Sequence, residues 1–185
     1  MRSMLITSPN DILFFSNSYE EATGDLANGF EFLSNAKTRV FYSKDGSFLG
    51  GYAVSSTDLN PYLRYYTFLE ESEKSQLIKK GYREEDCAEI TFILFKDWTS
   101  PTQRLGILIQ SLLDAKAMKK KYILGGGKVG KFNNRMRRVL SNQIYDGKVL
   151  VYGHLKDFKI LCQKRRYLYF KMFTALLSEL KVLLF

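Results

Sequence analysis

Three features of the sequence predict a mixed α/β chain of the α+β kind, a sheet covered by helices. Asp45-Gly46 separates two β-branched and aromatic runs, Thr38 to Ser43 and Ser47 to Ser55, and Asp-Gly between such runs is a strong hairpin signal. Ala88 to Phe95 is almost continuously apolar, as expected of a central strand buried on both faces. Soon after it, Leu105, Leu108, Ile109, Leu112, Leu113 and Ala117 fall on one stripe of a helix over 103–120. With 185 residues, 45% apolar and 25% charged, the chain fits one globular domain that removes roughly 70% of its unfolded surface from water.

The remaining elements are read in order. Asp11 to Ser16 is a short apolar run that predicts a strand, and Tyr19 to Ala36 predicts a helix, with Ala22, Leu26, Phe30 and Leu33 three and four apart. Gly50-Gly51 inside the second hairpin strand suggests a bulge or a close backbone approach. Asn60-Pro61 marks a turn, Tyr62 to Leu69 is aromatic, and Glu70 to Lys80 reads as a helix ending at Gly81. Beyond 120 the sequence predicts a short strand at Tyr122 to Leu124, a glycine loop at Gly125 to Gly127 and a helix from Phe132 to Tyr145. Two strands follow, Val149 to Tyr152 and Phe158 to Cys162. Residues 1–163 are read as one domain and 164–185 as an apolar C-terminal helix. That helix packs on the body or on a second subunit of a homodimer, or contacts a membrane surface beside Lys164, Arg165 and Arg166.

Charge divides the chain. Residues 1–60 carry 4 basic and 7 acidic side chains, residues 61–115 carry 7 and 9, and residues 116–185 carry 17 and 3, a net +14. Nine basic residues and no acidic one lie between 116 and 139, which points to an anionic partner. Cys87, Cys162 and the single His154 are too few and too scattered for a zinc cluster, so no metal is expected. The first 15 residues lack a secretory pattern, and a cytoplasmic location is the expectation. Gly125 to Lys131 fits the phosphate-loop pattern, but Phe132 stands where magnesium binding needs Ser or Thr, so a close-packing glycine turn is the better reading.

A helix start presents backbone N–H groups without internal partners, and with the helix dipole these form a ready anion site. Gly106, placed near such a start, costs about 1 kcal/mol of helix propensity relative to Ala and asks for a reason. Close approach of a pyrophosphate is one reason, and tight packing against a strand is another. Gln103-Arg104-Leu105-Gly106-Ile107-Leu108, set between a long apolar strand and a helix, resembles the signature Gln/Arg-x-x-Gly-x-Gly/Ala of the GCN5-related N-acetyltransferase (GNAT) superfamily. The resemblance covers roughly residues 10–162 and implies a mostly antiparallel central sheet.

It further implies that the amides of Gln103, Arg104, Leu105, Gly106, Ile107 and Leu108 bind the pyrophosphate of an acyl-coenzyme A co-substrate. Its pantetheine arm would hydrogen-bond the backbone of Ile93, Leu94 and Phe95, where that strand splays from the next. Asn133 or Asn134 and Tyr145, ahead of Gly147, resemble the family's later Asn and Tyr, and Tyr145 would be the general acid. Glu89 is the carboxylate available as base inside the strand. Such a site would move an acetyl or longer acyl group to a small-molecule or peptide amine. Acyl-homoserine lactone synthases share this fold and draw on acyl carrier protein, an acidic donor that the basic segment would suit. The alternatives are a nucleic-acid-binding module using the basic helices, and a degenerate acyl-coenzyme A-binding protein without turnover.

Overall fold

The computed structural model describes residues 1–24, 29–128, 136–151 and 154–175. In chain order the elements are β1 (Arg2–Leu5), α1 (Pro9–Thr23), α2 (Gly29–Asn35), β2 (Lys37–Tyr42), β3 (Phe48–Ser56), α3 (Arg64–Thr67), α4 (Glu71–Lys79), β4 (Cys87–Phe95), α5 (Pro101–Ala117), β5 (Tyr122–Lys128), β6 (Asn142–Val151) and β7 (His154–Lys164). The strands form one sheet in the order β1-β2-β3-β4-β5-β7-β6. Every neighbouring pair is antiparallel except β4 and β5, which run parallel.

Asp11 to Ser16 is helical, not a strand. Ser8 caps α1 by accepting the Asp11 amide at 3.2 Å, and Pro9 starts the helix. Ile12 and Phe15, three apart, are buried, whereas Leu13 and Phe14 are exposed, so the apolar run is the inner stripe of a helix plus two surface residues. The helix foreseen over 19–36 is interrupted by Gly24, whose φ of 64° ends α1. The first strand is Arg2–Leu5, paired at the sheet edge with β2.

The hairpin of β2 and β3 turns at Gly46, and both glycine expectations at 50–51 hold. A Cβ on Gly50 would stand 2.1 Å from the Leu94 carbonyl oxygen, and one on Gly51 2.5 Å from that of Arg39. The predicted loop at Gly125 to Gly127 is instead strand: β5 continues in ladder with β7 to Lys128↔Phe158. Here the missing Cβ atoms admit Leu140 and Met136 over Gly125 and the Lys159 backbone beside Gly126. The helix foreseen over 132–145 is also corrected. Residues 132–135 lie outside the described residues, and from Asn142 the chain is β6, paired with β7.

One face of the sheet carries α5 and helical residues 168–175. Ile90, Ile123 and Leu161 meet Ile107, Leu112, Leu168 and Met172 there. The other face carries α1 and α2 over Val40, Ala53 and Phe92, and the α3–α4 segment over Leu124, Ile160 and Phe158. Each such side chain, fully withdrawn from water, contributes about 1.5–3 kcal/mol. Among the described residues no helix is long and apolar enough to cross a membrane.

Asp114, 6% exposed on α5, ties that helix to β2 and β3. It accepts from Lys37 Nζ at 2.9 Å, Arg39 Nε at 2.8 Å and the Tyr52 hydroxyl at 2.7 Å. Burial alone would raise its pKa, but the hydrogen bonds from Arg39, Lys37 and Tyr52 hold it below the ordinary carboxylate value of 3.8. Its stabilisation is therefore present above that value and is lost as pH falls through the lower folded one. Asp114→Ala should lower the unfolding free energy by about 3 kcal/mol in urea titrations, and Tyr52→Phe by about 1 kcal/mol. The acid-side loss of stability attributable to residue 114 should vanish in the Ala variant.

Candidate active site

The central irregularity of the sheet lies between its two parallel strands. The β4–β5 ladder ends at Glu89↔Leu124. Beyond it β4 stays with β3 as far as Phe95↔Gly50, while β5 stays with β7 as far as Lys128↔Phe158. Each strand follows its outer partner, and a crevice opens between them, walled by the backbone of β4 residues 90–95 and the glycines of β5. Ile93, Leu94 and Phe95 thus lie on the parted stretch.

β4 also bulges within this stretch. Between the pairs Ala53↔Thr91 and Gly51↔Leu94, two β4 residues, Phe92 and Ile93, oppose Tyr52 alone. Phe92 adopts φ 52°, a left-handed conformation that costs a non-glycine residue about 1–2 kcal/mol. A bulge re-aims main-chain groups and is common beside active sites. The Arg64 guanidinium lies over the Phe92 ring, 4.0 Å from its centroid.

Glu89 occupies the last rung before the crevice and is 0% exposed. Its carboxylate accepts the amides of Arg64 at 2.7 Å and Tyr65 at 3.1 Å, while Glu84 accepts that of Leu63. Two carboxylates from outside thus cap α3, which has no side-chain cap of its own. Burial pushes the Glu89 carboxyl up from 4.5 to about 7, against the amide hydrogen bonds and the nearby Arg64 cation, which lower it. Tyr65, held by this cap, reaches back to the crevice. Its hydroxyl donates to the Ile90 carbonyl oxygen at 2.6 Å and lies 3.2 Å from that of Gly126, one oxygen on each parted strand.

The Gln103 to Leu108 motif lies inside α5, not in a loop. Ser100 and Pro101 start the helix upstream: Ser100 Oγ accepts the Gln103 amide at 3.3 Å and Gln103 Oε1 accepts the Ser100 amide at 2.9 Å. The Arg104 guanidinium is spent on the preceding turn, donating to the carbonyls of Thr99, Lys96 and Asp97. Ile107 is buried in the core, with Leu108 half-buried against it and Leu105 half-buried on the same helix. Gly106 is not pressed by a strand, since a Cβ there would meet only the flexible Met1 methyl at 3.1 Å.

Asn133 and Asn134 lie outside the described residues. Tyr145 belongs to β6, not to a helix end, and β6 stands three strands from β4, roughly 14 Å away at ordinary strand spacing. Its hydroxyl donates to Glu73 Oε1 at 2.9 Å on α4, so the structure does not bring Tyr145 to Glu89. Tyr65 is the tyrosine at the crevice. Sequence reasoning passed over it because its place depends on where α3 docks, and the only local signal was the aromatic run at 62–69. Cys87 is a buried thiol raised to about 12 by burial. Of the basic residues at 116–139, Lys120 pairs with Asp58 at 2.7 Å and Lys116 sits over the Tyr169 ring.

The seven-stranded sheet, its one parallel pair parting beside a bulge, and the helix after the parted strand make up the fold of the GNAT acyltransferases. Among solved structures, FeeM, an N-acyl amino acid synthase from uncultured soil microbes, is 16% identical over 95% of this chain and 97% of its own, with a TM-score of 0.68. A GNAT-superfamily phosphinothricin acetyltransferase from Sinorhizobium meliloti, in complex with acetyl-coenzyme A, is 12% identical over 89% of both chains at a TM-score of 0.58. An acetyltransferase from Bacillus subtilis in complex with coenzyme A is 14% identical over 88% of this chain and 97% of its own, at 0.56. No family model and no curated protein sequence matches the chain.

The raised Glu89 pKa has a sign that can be checked. The folded chain holds this proton more tightly than the unfolded one, so the contribution of Glu89 to stability is fully present below about pH 4.5 and is lost as pH rises through about 7. The stability of the wild type relative to Glu89→Gln, measured by denaturant unfolding, should therefore fall across that window. A difference that is constant with pH would contradict the assignment.

Proposed function

We propose that the chain is an N-acyltransferase that moves an acyl group from a thioester, acyl-coenzyme A foremost, to an amine. The parting of β4 from β5 beside the Phe92 bulge carries this reading. Beyond Glu89↔Leu124 the strand β4 no longer runs in ladder with β5, and an extended amide-bearing arm can bond along it there as an added strand does. The net +14 of residues 116–185 supports an anionic donor. The likeness to an N-acyl amino acid synthase supports an amino-acid amine as acceptor.

In this reading the amine nitrogen attacks the thioester carbonyl, the C–N bond forms, and the C–S bond breaks to release a thiolate. Glu89, with its pKa near 7, takes one of the two protons that the ammonium nitrogen loses and can pass it to the leaving thiolate, the other going to water. In the same reading a main-chain amide of the bulge serves as donor to the developing oxyanion. Tyr145, engaged by Glu73, has no part in this scheme.

Thermal shift and calorimetry with coenzyme A and acetyl-coenzyme A test the donor, with stabilisation by each expected. No stabilisation, together with tight, salt-steep oligonucleotide binding, would reverse the reading in favour of a nucleic-acid module. With a panel of amino acids as acceptors, kcat/KM should rise with pH to a plateau above about 7. Glu89→Gln should cost about 10²-fold or more and abolish that limb, and a variant with an unchanged rate and profile would remove Glu89 as the base.

A further inference from the structure

The crevice between β4 and β5 is closed at its narrow end by one side chain. Just beyond the last rung, Glu89↔Leu124, the Tyr65 hydroxyl sits on the carbonyl oxygens of Ile90 and Gly126, and so spans both strands at the point where they part. The ring behind it is 4% exposed and rests against Phe158 at 5.9 Å between centroids. Beyond lies the core of Leu124, Ile144, Ile160 and Phe158. On the β5 wall Gly125, Gly126 and Gly127 offer no side chain of their own, and the group that bridges the two strands at this end of the crevice is the Tyr65 phenol.

We propose that Tyr65 sets the length of acyl group the site accepts, acting as the floor against which the acyl chain ends, so that short chains fit and long ones do not. The proposal rests on the reading of the crevice as a thioester site and adds to it the class of acyl group. Glu84 and Glu89 make the floor rigid by fixing the backbone on which Tyr65 stands. An apolar core lies directly behind the ring, so removing the ring would let methylenes enter it, each contributing about fourfold in affinity.

Calorimetric binding of coenzyme A, acetyl-coenzyme A and octanoyl-coenzyme A to the full chain tests the floor. The wild type should bind octanoyl-coenzyme A at least tenfold more weakly than acetyl-coenzyme A. Tyr65→Phe, which keeps the ring, should preserve that order, and Tyr65→Ala should reverse it. Tyr65→Leu, which keeps an apolar side chain on the core but does not reach the carbonyls, gives the same readout should the Ala variant fold poorly. A wild type that already favours octanoyl-coenzyme A overturns the proposal. So does an unchanged chain-length order in a folded Ala or Leu variant. Binding of coenzyme A alongside either result overturns only the role of Tyr65, whereas no binding of coenzyme A at all overturns the thioester-site reading and the proposal with it.

Discussion

A carboxylate taken wholly out of water must be met by donors, and Glu89 finds them in the first amides of α3. An isolated ionised carboxylate in an apolar interior carries a penalty of several kcal/mol. A helix of four residues, for its part, has too few internal hydrogen bonds to hold itself. Each is stable because the other is present. From that joint follows the position of Tyr65, and from Tyr65 the closure of the crevice between the parallel strands. The proton on Glu89 and the shape of the crevice are thus mechanically linked through one short helix.

The second buried carboxylate, Asp114 on α5, is handled in the opposite way. It is met by a guanidinium, an ammonium and a phenol, and stays ionised well into acid. Glu89 is met mainly by neutral amides, and desolvation wins, which leaves it near its point of half-ionisation at neutral pH. The same chemical group therefore serves as a fixed tie on one side of the sheet and as a titratable group on the other. The identity of the donors decides which.

The parts legible in the sequence were those whose cause is local. Asp45-Gly46 makes a hairpin because the turn itself needs those residues, and β4 reads as buried because both its faces are apolar. The errors fell where the cause lies outside the run itself. The chain from Asn142 becomes a strand because β7 offers it an edge, and Asp11 to Ser16 becomes a helix because Ser8 and Pro9, just outside the apolar run, start one. At the site, Glu89 could be found as the only carboxylate inside the strand. Tyr65 could not, since nothing in its own neighbourhood says that its hydroxyl will land between two strands more than twenty residues further on.

The bulge at Phe92 also changes the phase of the strand that carries it. Ile90 faces the α5 side, yet Phe92 and Leu94 face α1 and α2, while Ile93 and Phe95 return to the α5 side. Had the same residues run on in simple alternation with no bulge, these last side chains would lie on the opposite faces. The tract is apolar on both sides, so the inversion leaves no trace in its hydropathy pattern. A deletion of a single residue at 92 or 93 would therefore remove the bulge yet leave Leu94 and Phe95 on their present faces, whereas pairing the intact strand without the bulge would exchange its inward and outward neighbours from that point onward.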